Sequence, residues 1–185
     1  MREYKWSFKS NKQENRVRMW EANNLDLGIN QRNEEGTRGN YYSDVSDLTI
    51  LSGILRYCLD EGVDLKSYLS KSKSFRRLLK KASIPKDMSM RPVFYSHSAQ
   101  DFDRGLEFNV GVENKNGSLH LKGIRPNEKG ILLPSAQVPR LLHGMVHVRN
   151  YIGVIGAFNR YCHLINTFLE DPVNGIPGLK NFGRE

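Results

Sequence analysis

Apolar and polar residues alternate near the start of the chain. Tyr4, Trp6 and Phe8 alternate with Lys5, Ser7 and Lys9, residues 16–20 alternate likewise, and Leu25, Leu27 and Ile29 alternate with Asp26, Gly28 and Asn30. A period of two marks a strand with one buried face, so three short strands are expected. The polar, glycine-bearing segment 30–44 adds a short strand at Tyr41-Tyr42. The period then changes. Leu48, Leu51, Ile54, Leu55 and Cys58 have the three-and-four spacing of a helix, with Ser46 or Asp47 placed to cap it and Gly62 to stop it.

A second run of strands precedes a second helix. Its first strand is expected at Val93-Phe94-Tyr95, and Leu106, Phe108, Val110 and Val112 then alternate with Glu107, Asn109, Gly111 and Glu113. Asn116-Gly117 follows, and both residues tolerate the positive φ that a type I′ hairpin turn needs. Residues 118–124 form the returning strand, 126–130 a turn and Ile131-Leu132-Leu133 a short third strand, after which the Ser135 hydroxyl is placed to cap a helix. Phe108, Val110 and Val112 are expected to pack beneath Leu141, Leu142 and Met145 of that helix, which covers the apolar face of the twisted hairpin. Gly144, Gly153 and Gly156 are expected to bend or break the long apolar region that runs on to Phe168.

The chain therefore reads as α+β: two β-β-β(-β)-α units, curved antiparallel sheets packed on helices, joined by a basic helical connector. The boundaries fall at residues 1–62, 63–91 and 92–170, with a turn-rich tail 171–185 that is either mobile or an arm docked elsewhere. The two units are compatible with one compact domain, and their repetition is architectural, without residue-level identity.

Composition narrows the setting. The 185 residues can bury a core without staples, and the only two cysteines, Cys58 and Cys162, lie inside apolar helical patterns. Buried free thiols in a reducing intracellular compartment, cytoplasm or nucleus, are expected, with no membrane span and no signal peptide. Twenty-eight Lys and Arg against 20 Asp and Glu leave a net charge of +8, which favours polyanionic partners. The charge concentrates in the connector, where Lys66, Lys71, Lys73, Arg76, Arg77, Lys80, Lys81 and Lys86 face the single acid Asp64. Leu65, Tyr68, Leu69, Phe75, Leu78 and Leu79 would form its inner face, leaving the cations outward, either as a solvated surface or as a phosphate-binding one.

Catalytic constellations are scarce. His143 and His147 share one helical face, as a metal pair requires, but no third ligand is evident, and no metalloprotease, phosphate-loop or nucleophile-elbow spacing occurs. The expectation is a non-enzyme without cofactor or metal, a metal-dependent nuclease being the remote alternative. Single-stranded nucleic acid needs cations along its phosphates and flat π faces for its bases. Lys5, Lys9, Arg16 and Arg18 stand beside Trp6, Phe8 and Trp20, His120, Lys122 and Arg125 line one side of the second hairpin, and Lys73, Arg76, Arg77, Lys80 and Lys81 follow along the connector. The aromatic row Tyr4, Trp6 and Phe8 is either core or stacking platform; either assignment leaves a cationic sheet surface. A rival reading is an assembly protein, nucleocapsid- or matrix-like, whose apolar helices join copies.

The phrase KGILLPSAQVPRLLHGM, residues 129–145, closing a run of antiparallel strands and opening a helix, resembles the Whirly, PUR-type and single-strand-binding transcriptional coactivator proteins. The similarity covers residues 104–148 and elsewhere is one of topology. It implies binding of single-stranded DNA or RNA on concave sheet faces with little sequence preference, and homo-oligomers assembled through helices. The residues it transfers are Lys122, Arg125 and Lys129 on the hairpin, and Lys5, Trp6, Lys9, Arg16 and Arg18 on the first sheet. The basic connector and the apolar helix after Gly156 depart from that pattern.

Overall fold

Alternation at the start of the chain produces a four-stranded antiparallel meander: β1 (Glu3–Ser10), β2 (Gln13–Glu21), β3 (Leu27–Asn33) and β4 (Arg38–Tyr42), paired in sequence order. The computed structural model describes residues 2–36, 38–42, 47–82, 111–122, 129–151 and 155–181. A second antiparallel sheet comprises β5 (Val112–Lys115), β6 (Ser118–Leu121) and β7 (Ile131–Leu133). The helices are α1 (Asp47–Glu61), α2 (Leu65–Lys71), α3 (Lys73–Lys81), α4 (Val138–Arg149) and α5 (Ile155–Glu170). The architecture is α+β, as the periodicities predict.

Each sheet finds its main cover in the helix that follows the other. The side chains of Trp6, Phe8, Val17, Met19, Leu27, Ile29 and Tyr41 leave one face of β1–β4 and are buried. Onto β1 and β2 packs α4, while α1 packs on β5 and α5. Thus Leu141, Leu142 and Met145 do not serve their own hairpin alone: at Gly144 the helix comes so close to the first sheet that a Cβ would stand 2.5 Å from Met19 Cε and 2.7 Å from a Tyr4 ring carbon. This glycine permits contact between layers rather than breaking the helix. Phe108, Val110, Gly153 and the strand expected at 93–95 lie outside the described residues.

The crossed cover gives one core cluster, which includes Leu119, Leu121, Ile131 and Leu133 from the second sheet. The apolar residues of α4 and α5 are buried within it, including Leu142, Val148, Phe158, Ile165 and Phe168. Among the described residues no helix is long and apolar enough to cross a membrane. Both thiols are buried and unpaired, Cys162 pushed up to about 12 and Cys58 higher still by removal of the thiolate from water.

The free edge of β7 meets the first sheet through a side chain and glycine. Gln31 on β3 accepts a hydrogen bond from Leu132 N (2.8 Å) and donates one to Leu132 O (2.9 Å), so its amide stands in for a strand residue along β7. Gly130 N donates to Asn40 O at 2.8 Å, and a Cβ on Gly39 would lie 2.0 Å from Gly130 O. An open strand edge is thereby covered.

Two local expectations are corrected, and one left open is decided. Leu25 belongs to a short 3-10 turn (Asn23–Leu25) at φ +64°, its carbonyl held by the buried Arg149 guanidinium at 2.7 Å, so it does not continue a strand. Ser135 makes no capping bond, because a 3-10 turn (Ser135–Gln137) precedes α4 and Pro139 lies in its first turn, where a missing N–H costs nothing. The tail is a docked arm over the described residues 171–181. Ile176 and Leu179 are buried, and Arg56 on α1 donates to the carbonyls of Leu179 and Lys180.

Candidate nucleic-acid interface

Register places the cations of the first sheet together. Opposite the core face, Lys5 pairs with Arg18 and Arg18 with Asn30, while Ser7 pairs with Arg16 and Arg16 with Arg32. The period of two sends every one of these side chains outward. They surround a depression of about 400 Å³ whose lining holds Lys5, Arg16, Arg18 and Arg32 and the single carboxylate of Glu14.

At one end of these rows lies an aromatic platform. Trp20 sits over Gly28, where a Cβ would come within 2.7 Å of the indole ring, so only glycine admits this seat. Tyr42 meets Trp20 edge-on, with centroids 5.9 Å apart. The Arg18 guanidinium covers the ring at 4.7 Å, a cation–π contact. Glu3 orients the array: it bonds Lys5 at 2.8 Å and Arg18 at 2.8 Å, and Lys5 first and Arg18 next hold its carboxyl below the usual carboxylate range.

Trp6 is not part of this face. Its indole is buried, and Nε1 donates to Gln137 Oε1 at 3.1 Å, so the row Tyr4, Trp6 and Phe8 is core. Lys9 is exposed on the outer face, paired in register with Glu14. On the second sheet Glu113 takes both polar neighbours, His120 Nδ1 at 2.6 Å and Lys122 Nζ at 3.0 Å, and its carboxyl is held low by His120 first. Lys129 is exposed beside β7, and Arg125 lies outside the described residues.

The connector cations divide. Ser72 caps α3, accepting from Phe75 N at 3.3 Å, and Phe75, Leu78 and Leu79 are buried, which leaves Lys73, Arg77, Lys80 and Lys81 outward. Arg76 instead closes α2, donating to Leu69 O and Ser70 O at 2.7 Å each, and Lys81 donates to Asn150 Oδ1 at 3.0 Å. Because α3 packs on α4 and α5, these residues lie on the helical side of the first sheet, away from its outer face.

His143 and His147 do share a face of α4, but His143 is already engaged at both nitrogens. Nδ1 lies 2.8 Å from the Tyr68 hydroxyl and 3.2 Å from that of Tyr4, Nε2 lies 3.3 Å from Ser74 Oγ, and Phe75 stacks on the ring. Burial first, then the neighbouring Arg140 and His147, lower its pKa to about 4, so it is neutral near pH 7. It is a hub that ties β1, α2 and α3 to α4.

Arg32 and Tyr42 join this face without being among the residues expected there from the sequence. Both could have been found by carrying the alternation of Ile29 onward past Asn30, and by assigning Tyr41 inward and Tyr42 outward. Comparison with known proteins returns no match by family model, among curated proteins or among solved structures.

Proposed function

We propose that this chain binds single-stranded nucleic acid, DNA or RNA, without catalysis and largely independently of sequence, on the outer face of the four-stranded sheet. The observation that carries this reading is the stack of Arg18 on Trp20 at the end of rows that hold Lys5, Arg16 and Arg32. Phosphates are drawn to the cations, and a base stacks on the indole or on the guanidinium plane, either of which accepts any base. The resemblance to the Whirly and PUR-type proteins points the same way.

The tryptophans supply the test, since the chain has two and only Trp20 is on this face. Titration with a single-stranded oligonucleotide should quench the emission of the wild type, and Trp20→Phe should abolish most of that quench while Trp6 still emits. A quench that persists in Trp20→Phe would mean that the strand lies elsewhere.

A further inference from the structure

The first sheet is covered at one edge only. On the β4 side Gly130 N bonds Asn40 O, whereas β1 makes no backbone–backbone hydrogen bond among the described residues except to β2. The turn geometry fixes which residues this open edge presents. Asn11 and Lys12, at φ +52° and +65°, stand between the paired Ser10 and Gln13, and the pair flanking such a two-residue type I′ turn exchanges both its hydrogen bonds. Every second residue back along the strand does the same. Phe8, Trp6 and Tyr4 therefore bond β2, while Lys9, Ser7, Lys5 and Glu3 turn their N–H and C=O groups away from it. At the far end His147 already bonds the Glu3 backbone. The rest of the edge is a template for another strand.

We propose that β1 pairs antiparallel with β1 of a second copy of this chain, about a twofold axis at Trp6, joining two four-stranded sheets into one. Residues directly opposite in such a pair lie on the same face, so the exposed Glu3, Lys5, Ser7 and Lys9 meet their counterparts. Charge selects the register. Centring the pair on Lys5 sets that lysine against itself, and centring it on Ser7 sets Lys5 against Lys9 twice. Centring it on Trp6 sets Glu3 against Lys9 twice and Lys5 against Ser7, and only this register pairs all four residues. Lysine on an edge ordinarily blunts pairing; here it excludes two registers and fits the third. Lys9, which makes no ion pair among the described residues, gains one. On the inner face the half-buried Tyr4 comes opposite Phe8 of the second copy.

This register also makes the outer face continuous. Across the seam the row Asn30, Arg18, Lys5 of one copy runs into Ser7, Arg16, Arg32 of the other, and the twofold axis repeats it. Two cationic rows thus cross six strands, with a Trp20 platform on either side of them.

The pairing does not depend on nucleic acid, so it is tested without any. Sedimentation equilibrium compares the wild type, Lys9→Glu, Glu3→Lys and an equimolar mixture of the two variants. The wild type should show a monomer–dimer equilibrium. Lys9→Glu alone sets glutamates against each other at both ends of the seam and Glu3→Lys alone sets lysines, so each should weaken the dimer about tenfold. In the mixed dimer both ends are matched again, and affinity should return to that of the wild type, a recovery that also shows each variant to be folded. A wild type that stays monomeric at every concentration, variants that dimerise as the wild type does, or a mixture that fails to recover would each overturn the pairing.

Discussion

The outer face of the first sheet and the hairpin of the second carry similar residues, cations beside glutamates, yet the strands arrange them differently. On the hairpin, Glu113 gathers both His120 and Lys122, so charge is matched locally. On the four-stranded face Glu3 holds Lys5 and Arg18 and Glu14 pairs with Arg16 at 3.6 Å, while Arg32 stands across from Arg16 and the Trp20 platform lies at the end. Composition along a strand does not distinguish these surfaces. Cross-strand register does, because it decides whether charges of one sign become neighbours.

The largest expected effect concerns what lies behind the two sheets. The first is tied to its helices by the His143 hub. The second is tied to α1 by Tyr57, whose hydroxyl donates to Gly117 O at 2.5 Å, and by an Asn114–Glu61 bond. His143 has a folded-state pKa of about 4 against an ordinary 6.5, so the unfolded chain takes up a proton first as pH falls. Stability from this group is complete above about pH 6.5, declines between there and about pH 4, and falls by at most about 3 kcal/mol. Denaturant unfolding at pH 7 and pH 4.5 should show this loss, and His143→Gln should be less stable at pH 7 but flatter with pH.

Next in size is the platform. Trp20→Ala should weaken single-strand binding by about 1–3 kcal/mol per stacked base and leave the salt dependence alone. Smaller still, Glu113→Gln should release Lys122 and make the hairpin resemble the first face. A steepening of the log affinity against log salt slope by about 0.7 is expected if the strand reaches it, and no change if it does not. The smallest contrast lies within the connector. Arg76→Gln, which uncaps α2, should cost about 1 kcal/mol of stability, while Lys80→Gln should stay within about 0.5 kcal/mol. Equal melting temperatures for the two would remove the structural role assigned to Arg76.

Much of this fold is legible where periodicity alone governs. The alternation of β1 to β3 gives the buried row, helical spacing gives α1 with Gly62 at φ +63°, and Asn116-Gly117 gives a turn with φ of +54° and +88°. What is hidden depends on contacts distant in sequence. Gly144 looks like a helix break until Met19 and Tyr4 are found against it, and the turn-rich tail looks loose until Arg56 claims its carbonyls. The crossed packing of α1 and α4 leaves no mark in either helix, since an apolar stripe does not specify which sheet it covers. Composition alone points to the basic candidates, whereas strand pairing and burial turn Trp6 inward and bring Arg32 and Tyr42 to the outer face.

Binding as proposed puts the phosphates on the outer face of the first sheet rather than on the connector. It is tested most directly by the salt dependence of single-strand binding in two variants, Lys5/Arg16/Arg18/Arg32→Gln and Lys73/Arg77/Lys80/Lys81→Gln. Each phosphate contact contributes about −0.7 to the slope on a single strand, so the sheet variant should lose up to about 2.8 units, and duplex should bind less tightly than single strand to the wild type. The connector variant should keep nearly the wild-type slope. A connector variant that loses the slope while the sheet variant keeps it would contradict the account.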